Sequence, residues 1–394
     1  MPQDIRGVVI LGSTGSIGIN TLKVVDRYPD CFKVVGLSAL NNHELLAAQA
    51  RQYRPKYVGI GQQKRALLKK ALSETSLKIL DAESELSWLV SRPEVDIVVI
   101  GMSGSAALEP FLSAARAGKR IAPANKEALV IAGDMIMKEA AEHGAEVIPV
   151  DSEQSAVFQC LAGGRRKDLH KVFLTASGGA LRRVPSSRFA ALRVGDILNH
   201  PRWKMGKKIT VDSATLMNKG FEVIEAQRLF GLNVEEIEVV IHPEAVIHSM
   251  VAFQDGSVVA QLGITDMRLP IQYALTYPER KETGLKPLDF FEMKRLTFAK
   301  PNIKKFPSLA LAIEVAGRGG TLPSVLNAAD EEAVQAFLNE RIPFSGIYNI
   351  VEKIVRSHIM IRNPGIPDIL AADAWARQEA RKRIADFKFY KQFI

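Results

Sequence analysis

The stretch "VVILGSTGSIG", residues 8–18, is an apolar run that breaks into three glycines at Gly12, Gly15 and Gly18. This pattern is typical of a buried parallel strand that ends in a tight glycine turn and then opens a helix. The unpaired N–H groups and the partial positive charge of such a helix N-terminus favour a bound pyrophosphate. The sequence therefore predicts a nucleotide site here, although the spacing is G-x-x-G-x-x-G and not the usual G-x-G-x-x-G.

Strand-like and helical stretches alternate up to about residue 150. Further strands are predicted over 33–40, 95–102, 119–124 and 145–150. Such alternation is typical of a doubly wound parallel sheet, in which ligands bind at the carboxyl ends of the strands. The polar motifs "GSTGSIG", "GMSGSA", "NKEA" and "DSEQSA" stand at those ends. We therefore predict an α/β fold that begins with a Rossmann-like domain over residues 1–150.

The remainder of the chain divides into a second α/β domain, a linker and a helical domain. The segments "KVFLTASGGA", "EVVIHPEAVIHSMVAF" and "GSVVAQLG" predict strands of a second α/β domain over 151–277, the catalytic domain, and "NKGFEVIEAQRLFG" predicts a helix ended by Gly231. Residues 278–309 are rich in Pro and Lys and predict a linker. Amphipathic stretches then predict a C-terminal α-helical domain over 310–394.

Composition indicates a globular cytoplasmic protein. No run of about 18 apolar residues occurs, and few residues precede the first strand, so neither a membrane span nor a signal peptide is expected. Two cysteines in 394 residues indicate a reducing compartment. The net charge of +9 comes from scattered bases. We interpret them as a solvated surface that suits phosphate ligands and not as a nucleic-acid interface.

The cofactor is predicted from a missing acid. An NAD site usually has a carboxylate about 20 residues after the glycine turn, where it binds the ribose 2′-OH. Here that place reads Ser38-Ala39-Leu40-Asn41-Asn42, without a carboxylate. This favours NADPH, although no Arg or Lys stands there to bind the 2′-phosphate.

Three carboxylates predict a metal site. Asp151 and Glu153 follow the strand "EVIPV", and in extended chain both would point the same way. Glu222, in "NKGFEVIEA", is the natural third ligand. An all-oxygen set favours Mg²⁺ or Mn²⁺, with Co²⁺ as a further candidate. The D-x-E pair read alone is equally compatible with solvent-exposed or helix-capping residues.

Two further segments carry donors for an anionic substrate. Ser177 in "TASGG" and Ser213, Asn218 and Lys219 in "DSATLMNKG" offer hydroxyl, amide and ammonium groups, as a phosphate monoester requires. The stretch 199–210, "NHPRWKMGKKIT", surrounds a tryptophan with Gly, Pro and cations, which predicts a mobile lid whose Trp203 covers the substrate. Read singly, each of these residues is also compatible with a turn or a cap.

Together these segments resemble one family, the 1-deoxy-D-xylulose-5-phosphate reductoisomerases. The resemblance rests on "GSTGSIG", "ANKEALV", "PVDSEQSAVFQ", "TASGG", "HPRWKMGKKITVDSATLMNKGFEVIEA", "IHPEAVIHSMV" and "DGSVVAQLG". It implies an NADPH- and metal-dependent conversion of 1-deoxy-D-xylulose 5-phosphate to 2-C-methyl-D-erythritol 4-phosphate, in isoprenoid biosynthesis, by a homodimer.

The resemblance also implies roles for individual residues. The cofactor would contact Thr14, Gly15, Ser16, Ile17, Asn41, Asn42, Asn125, Glu127 and Gly206. The substrate would contact Lys126, Ser152, Glu153, Ser177, His200, Trp203, Ser213, Asn218, Lys219 and Glu222. The metal ligands would be Asp151, Glu153 and Glu222, and these with Lys126 and His200 would be catalytic.

One departure and two alternatives qualify this interpretation. Some members of the family have Gly-Lys-Asn where this chain has Leu40-Asn41-Asn42. The lost lysine is a cation that could bind the 2′-phosphate, so the strength of the NADPH preference stays open. The alternatives are an amino-acid-pathway dehydrogenase that uses NADP and a non-catalytic nucleotide-sensing module. Neither needs three carboxylates beside a set of phosphate donors.

Overall fold

The computed structural model describes residues 5–198 and 206–391, which form two compact units. The first unit comprises residues 5–129, 133–158 and 266–287, and the second comprises 130–132, 159–198, 206–265 and 288–391. None of the helices in these described ranges is both long and apolar enough to cross a bilayer.

Strands and helices alternate at the start of the described chain, and helices dominate its end. The strands are β1 (Arg6–Leu11), β2 (Phe32–Ala39), β3 (Tyr57–Ile60), β4 (Lys78–Asp81), β5 (Ile97–Ile100), β6 (Arg120–Pro123), β7 (Glu146–Val147), β8 (Leu169–Ala176), β9 (Ile237–Ile241), β10 (Ile247–Phe253) and β11 (Val258–Leu262). The helices are α1 (Ser16–Arg27), α2 (His43–Tyr53), α3 (Arg65–Ala71), α4 (Leu86–Val90), α5 (Leu108–Arg116), α6 (Lys126–His143), α7 (Ser152–Leu161), α8 (Val194–Ile197), α9 (Lys207–Thr215), α10 (Met217–Phe230), α11 (Arg268–Thr276), α12 (Phe290–Met293), α13 (Pro307–Arg318), α14 (Leu322–Leu338), α15 (Phe344–Ser357) and α16 (Ile366–Lys391).

A parallel sheet forms the centre of the first unit. Its described strands follow the order β4-β3-β2-β1-β5-β6-β7. The chain winds from β1 to β4 in one direction and from β5 to β7 in the other, which confirms the predicted doubly wound sheet. Because β1 and β5 flank the reversal, the crevice at their carboxyl ends is where such a sheet binds ligands.

Residues 266–287 belong to the first unit. The sequence instead predicts that they form the end of the second domain and the start of the linker. Helix α11 packs against α1 and buries Ile271, Ala274 and Leu275 in the core of this unit. The guanidinium of Arg120, on β6, donates a hydrogen bond of 2.8 Å to the carbonyl oxygen of Tyr277, just after the helix. Burial of an apolar helix face therefore decides where this segment packs.

The second unit combines a mixed sheet with helices. Among the described residues its strands follow the order β11-β10-β8-β9, with β8 and β9 parallel and the other pairs antiparallel. Helix α10 ends at Gly231 in the left-handed conformation, as the sequence predicts. A Cβ atom added to Gly220 of α10 would lie 2.3 Å from Cβ of Ala312, so glycine lets α10 and α13 approach closely.

Candidate active site

The glycine turn follows β1 at the sheet reversal. The N–H groups of Gly12 and Ser13 donate hydrogen bonds of 3.1 and 2.7 Å to the carbonyl oxygen of Ser38, at the end of β2. Gly12 has φ +83°, and a Cβ atom there would lie 2.7 Å from the carbonyl oxygen of Gly101. Only glycine fits this position, because any other residue would be strained at this positive φ and its Cβ atom would clash with the backbone.

The other two glycines have different roles. A Cβ atom on Gly18 would lie 2.3 Å from Cα of Ser13, so Gly18 lets α1 pack on the turn. Gly15 is exposed and precedes α1 with no side-chain cap, which is compatible with a ligand at this helix N-terminus. Thr14, Ser16 and Ile17 line the same turn, as the nucleotide-site prediction requires.

A buried glutamine beneath the turn was not apparent from the sequence. The hydroxyl of Ser13 donates to Oε1 of Gln49 at 2.7 Å, and Nε2 of Gln49 donates to the carbonyl oxygen of Ser13 at 2.9 Å. Gln49 lies on α2 and is buried. These reciprocal bonds fix the turn to α2. The signal in the sequence is a single glutamine on the apolar face of "HELLAAQARQY".

The two asparagines after β2 differ in their contacts. Asn42 caps α2, because its Oδ1 accepts a hydrogen bond of 3.1 Å from the N–H of Leu45. Asn41 is exposed beside it. The first acidic residue after β2 is Glu44, within α2.

Asn125 connects two loops at the carboxyl edge of the sheet. Its Oδ1 accepts a hydrogen bond of 2.8 Å from Ala128 and caps α6. Its Nδ2 donates to the carbonyl oxygens of Met102 and Gly104 at 2.7 and 3.2 Å. Its side chain therefore holds the segment after β5 against the start of α6. Glu127 is half-buried in the first turn of α6.

Lys126 and three polar residues at the start of α7 form a charged cluster in the first unit. The Nζ atom of Lys126 lies 2.6 Å from Oδ2 of Asp151, and the lysine side chain is only 8% exposed. The hydroxyl of Ser152 donates to Oε2 of Glu153 at 2.5 Å. Two carboxylates thus lie near one ammonium, and carboxylate oxygens fit a hard divalent cation.

The premise that Asp151 and Glu153 lie in extended chain is wrong. The carbonyl oxygen of Asp151 already accepts a hydrogen bond of 2.8 Å from the N–H of Ser155, so the helical bonding of α7 begins there. Glu153 lies within the first helical turn. Both acids are close to a helix N-terminus, where negative charge is stabilised.

Glu222 is the carboxylate of the second unit. It is 1% exposed on α10. Lys219 binds its Oε2 and Asn218 donates to its Oε1, from one turn earlier in the same helix. These donors stabilise the ionised form of a carboxylate that would otherwise be costly to bury.

A break between α9 and α10 shapes the predicted phosphate segment. Leu216 separates the helices with φ +61°, a conformation that is strained for a leucine. Gly179, with φ +67°, packs there so closely that a Cβ atom would lie 2.3 Å from the carbonyl oxygen of Ser213. The hydroxyl of Ser177 accepts a bond of 3.3 Å from the N–H of Gly179. The "TASGG" and "DSATLMNKG" segments are therefore neighbours.

The predicted lid is only partly described. His200 and Trp203 lie outside the described residues. Gly206 caps the N-terminus of α9, and the last four residues of the predicted lid, 207–210, are helical. Lys208 is paired with two buried carboxylates. The prediction that the cations of this stretch bind the anionic substrate is therefore wrong for Lys208.

Three family models match most of the chain. They are described as 1-deoxy-D-xylulose 5-phosphate reductoisomerase over residues 8–133, its C-terminal domain over 147–230, and the DXP reductoisomerase C-terminal domain over 262–379. Relatives of that name from Pelotomaculum thermopropionicum and Bacteroides fragilis are 48% and 47% identical. These alignments cover 97% and 96% of this chain and 99% and 98% of the relatives.

Solved structures agree with these matches. A DOX-P reductoisomerase in complex with NADPH, fosmidomycin and magnesium superposes with a TM-score of 0.93 and 38% identity, over 98% of this chain and 99% of the other. The 1-deoxy-D-xylulose 5-phosphate reductoisomerase of Zymomonas mobilis in complex with NADPH gives 0.91 and 38%, over 97% and 99%. This chain therefore belongs to the 1-deoxy-D-xylulose 5-phosphate reductoisomerase family.

Proposed function

We propose that this chain converts 1-deoxy-D-xylulose 5-phosphate to 2-C-methyl-D-erythritol 4-phosphate with NADPH and a divalent cation, as a step of isoprenoid biosynthesis. The observation that carries this function is the match over nearly the whole chain to a reductoisomerase bound to NADPH, fosmidomycin and magnesium. The test is to incubate the purified chain with substrate, NADPH and Mg²⁺ and to identify the product by NMR. Formation of the methylerythritol phosphate supports the function, and unchanged substrate contradicts it.

Asp151, Glu153 and Glu222 are proposed as the ligands of one divalent cation. Their support is chemical, because each is a carboxylate and two of them have positive or amide donors that keep the charge in place. When bound, the cation polarises the substrate carbonyl and stabilises anionic oxygen, and NADPH supplies the hydride. The protein contributes ligands that hydrogen bonds and ion pairs hold in position.

Substrate binding is assigned to two groups of residues. Ser177, Ser213, Asn218 and Lys219 are proposed to bind the phosphate, which orients the reacting carbons through contacts remote from them. Lys126 and Ser152 are proposed to contact the substrate beside the metal carboxylates. The ammonium of Lys126, which pairs with Asp151, is proposed to donate a hydrogen bond to a substrate oxygen. His200 and Trp203 are proposed as further substrate contacts, because the resemblance to the family implies them.

Most of the proposed cofactor contacts belong to the first unit. The open N-terminus of α1 suits the pyrophosphate. Thr14, Gly15, Ser16 and Ile17 form that turn, and Asn41 and Asn42 stand where the ribose phosphate is expected. Asn125 and Glu127 are proposed to lie on the nicotinamide side of the cofactor. Asn125 would act there by fixing the loop after β5. Gly206 is proposed as a cofactor contact from the cap of α9.

Three broader statements remain proposals. We expect the predicted division into a cofactor part, a catalytic part and a helical C-terminal part to hold for function. A homodimer is supported by the edge strand β11, which exposes Val258 and Val259 by 52% and 37%. A cytoplasmic location is supported by the two free cysteines, Cys31 and Cys160. The dehydrogenase and nucleotide-sensor alternatives are not favoured, since neither accounts for the family match.

A further inference from the structure

The second unit contains a pair of buried carboxyl groups, neither of which is among the proposed substrate residues. Asp212 on α9 is 1% exposed and Asp330 on α14 is 0% exposed. The Nζ atom of Lys208 lies 2.6 Å from Oδ2 of Asp212 and 3.1 Å from Oδ2 of Asp330. The same Nζ stands 4.7 Å from the ring centroid of Phe221 on α10. One ammonium therefore joins three helices.

Among the residues that the structure describes, the charges of Lys208, Asp212 and Asp330 balance if the two carboxyl groups share a proton. Two carboxylates beside one ammonium would leave a buried net negative charge, which is costly. Within the described residues, Oδ1 of Asp212 and Oδ1 of Asp330 are buried and accept no hydrogen bond from an N–H or O–H group of another residue type. Burial, and then the neighbouring Asp330, raises the pKa of Asp212 well above its usual range. Burial also raises the pKa of Asp330.

Ten other ionisable residues lie on α9 and on the described helices that pack against it. Helices α8, α10, α13 and α14 all pack against α9. The other ionisable residues on these five helices are Asp196, Lys207, Lys219, Glu222, Glu225, Arg228, Glu314, Arg318, Glu331 and Glu332. Lys219 binds Glu222, and Arg318 binds Glu314. Among these, Glu331 acts on Asp330, and its negative charge favours a protonated carboxyl.

Lys208, Asp212 and Asp330 form a group that adjoins the predicted phosphate segment, "DSATLMNKG". Lys208 and Asp212 lie one turn apart on α9, and Ser213 follows Asp212 directly. We propose that Asp330 is a positioning residue for the substrate: through Lys208 it fixes α9, and with it Ser213, against α14. This inference rests on the proposed role of Ser213, Asn218 and Lys219. The C-terminal helical region then shapes the phosphate site without touching the substrate.

Three variants test the positioning role at pH 7 with saturating Mg²⁺. Asp330→Ala removes the carboxyl that holds Lys208, and we expect it to raise KM for 1-deoxy-D-xylulose 5-phosphate about tenfold, more than it raises KM for NADPH. Asp330→Asn keeps the shape and replaces the protonated carboxyl by an amide, so it should restore both constants to within about twofold. The control, Glu332→Gln, removes a carboxylate of α14 that pairs with Arg381. It should leave both constants unchanged.

A substrate KM of Asp330→Ala that equals the wild-type value would overturn the proposal, as would an equal rise in both KM values. Should that variant fail to fold, the pH dependence of unfolding of Asp330→Asn decides. A carboxyl whose pKa is raised on folding stabilises the fold at low pH, and this stability is lost as pH rises through the folded pKa. The loss begins at the unfolded pKa of an aspartate, about 3.9. The Tm of the wild type should therefore fall relative to that of Asp330→Asn as the pH rises from about 4 to about 8, by at least about 2 °C.

The two readouts separate this inference from the proposed function. If Tm depends on pH in the same way in the wild type and in Asp330→Asn, the two carboxyl groups do not share a proton, even if the enzyme is active. Absence of turnover by the wild type would contradict the proposed function, while the Tm curves would still test the buried pair.

Discussion

The ammonium of Lys126, at the start of α6, lies 2.6 Å from Oδ2 of Asp151, just before α7. The pair joins the motif "NKEA" to the motif "DSEQSA" at the carboxyl edge of one parallel sheet. Because Lys126 already pairs with Asp151, the lysine and the proposed metal would act on the same carboxylate. Their contributions can be separated by mutation.

Lys126→Met should lower kcat about a hundredfold, since a charged donor to the reacting oxygens is lost. Binding of Mn²⁺, measured by calorimetry, should be retained because the carboxylates remain. Lys138→Met, on the exposed side of α6, is the control and should leave kcat unchanged. Loss of Mn²⁺ binding in Lys126→Met would show instead that the lysine organises the metal site.

Glu222→Gln should lower activity by at least about a hundredfold, because it removes a proposed metal ligand while keeping the side-chain shape. Activity is measured over a range of Mg²⁺ concentrations, with circular dichroism to check the fold. Glu238→Gln, which breaks a surface pair with Lys171, is the matched control. Near-normal turnover of Glu222→Gln at low Mg²⁺ would contradict the assignment.

Gly179→Ala should weaken substrate binding and lower stability. The new Cβ atom would lie 2.3 Å from the carbonyl oxygen of Ser213, and φ is +67°. Strain and overpacking of this kind cost about 1–3 kcal/mol. Gly144→Ala is a close control, because φ there is +68° and no atom lies within 4 Å of the added Cβ. Equal losses of stability and equal KM values in the two variants would show that the contact with Ser213 is unimportant.

Asn41→Asp should lower kcat/KM for NADPH about tenfold through charge repulsion and raise it for NADH, because a carboxylate can bind the ribose hydroxyl. Asn41 is chosen because the neighbouring Asn42 caps α2. Gln52→Glu, at the far end of α2, adds the same charge as a control. Equal kcat/KM for NADPH and NADH in the wild type would refute the inference from the missing acid.

Local patterns in the sequence predicted much of the fold. The run ending at Gly12 and the alternation after it identify the doubly wound sheet, and Gly231 marks the end of α10. Strands β3 and β4 are four residues each, "YVGI" and "KILD", and are too short to show a period. The packing of residues 266–287 in the first unit depends on α1, which is distant in sequence, so no local pattern indicates it.

The same distinction applies to the site. The sequence assigned Asn218 and Lys219 to the phosphate and Glu222 to the metal without pairing them. The structure brings both donors to Glu222, because residues three and four apart share a helix face. The partnership of Gln49 with Ser13 and that of Asp330 with Lys208 join distant segments. Periodicity identifies a buried face but does not identify the polar partner that a buried side chain meets there.

The rate of NADPH oxidation by the metal-free chain with 1-deoxy-D-xylulose 5-phosphate, before and after addition of Mg²⁺, tests the proposed function most directly. We expect oxidation only when substrate, NADPH and Mg²⁺ are all present, and its abolition by excess chelator. Oxidation at the same rate without a divalent cation, or none with all three components present, would contradict a metal-dependent reductoisomerase.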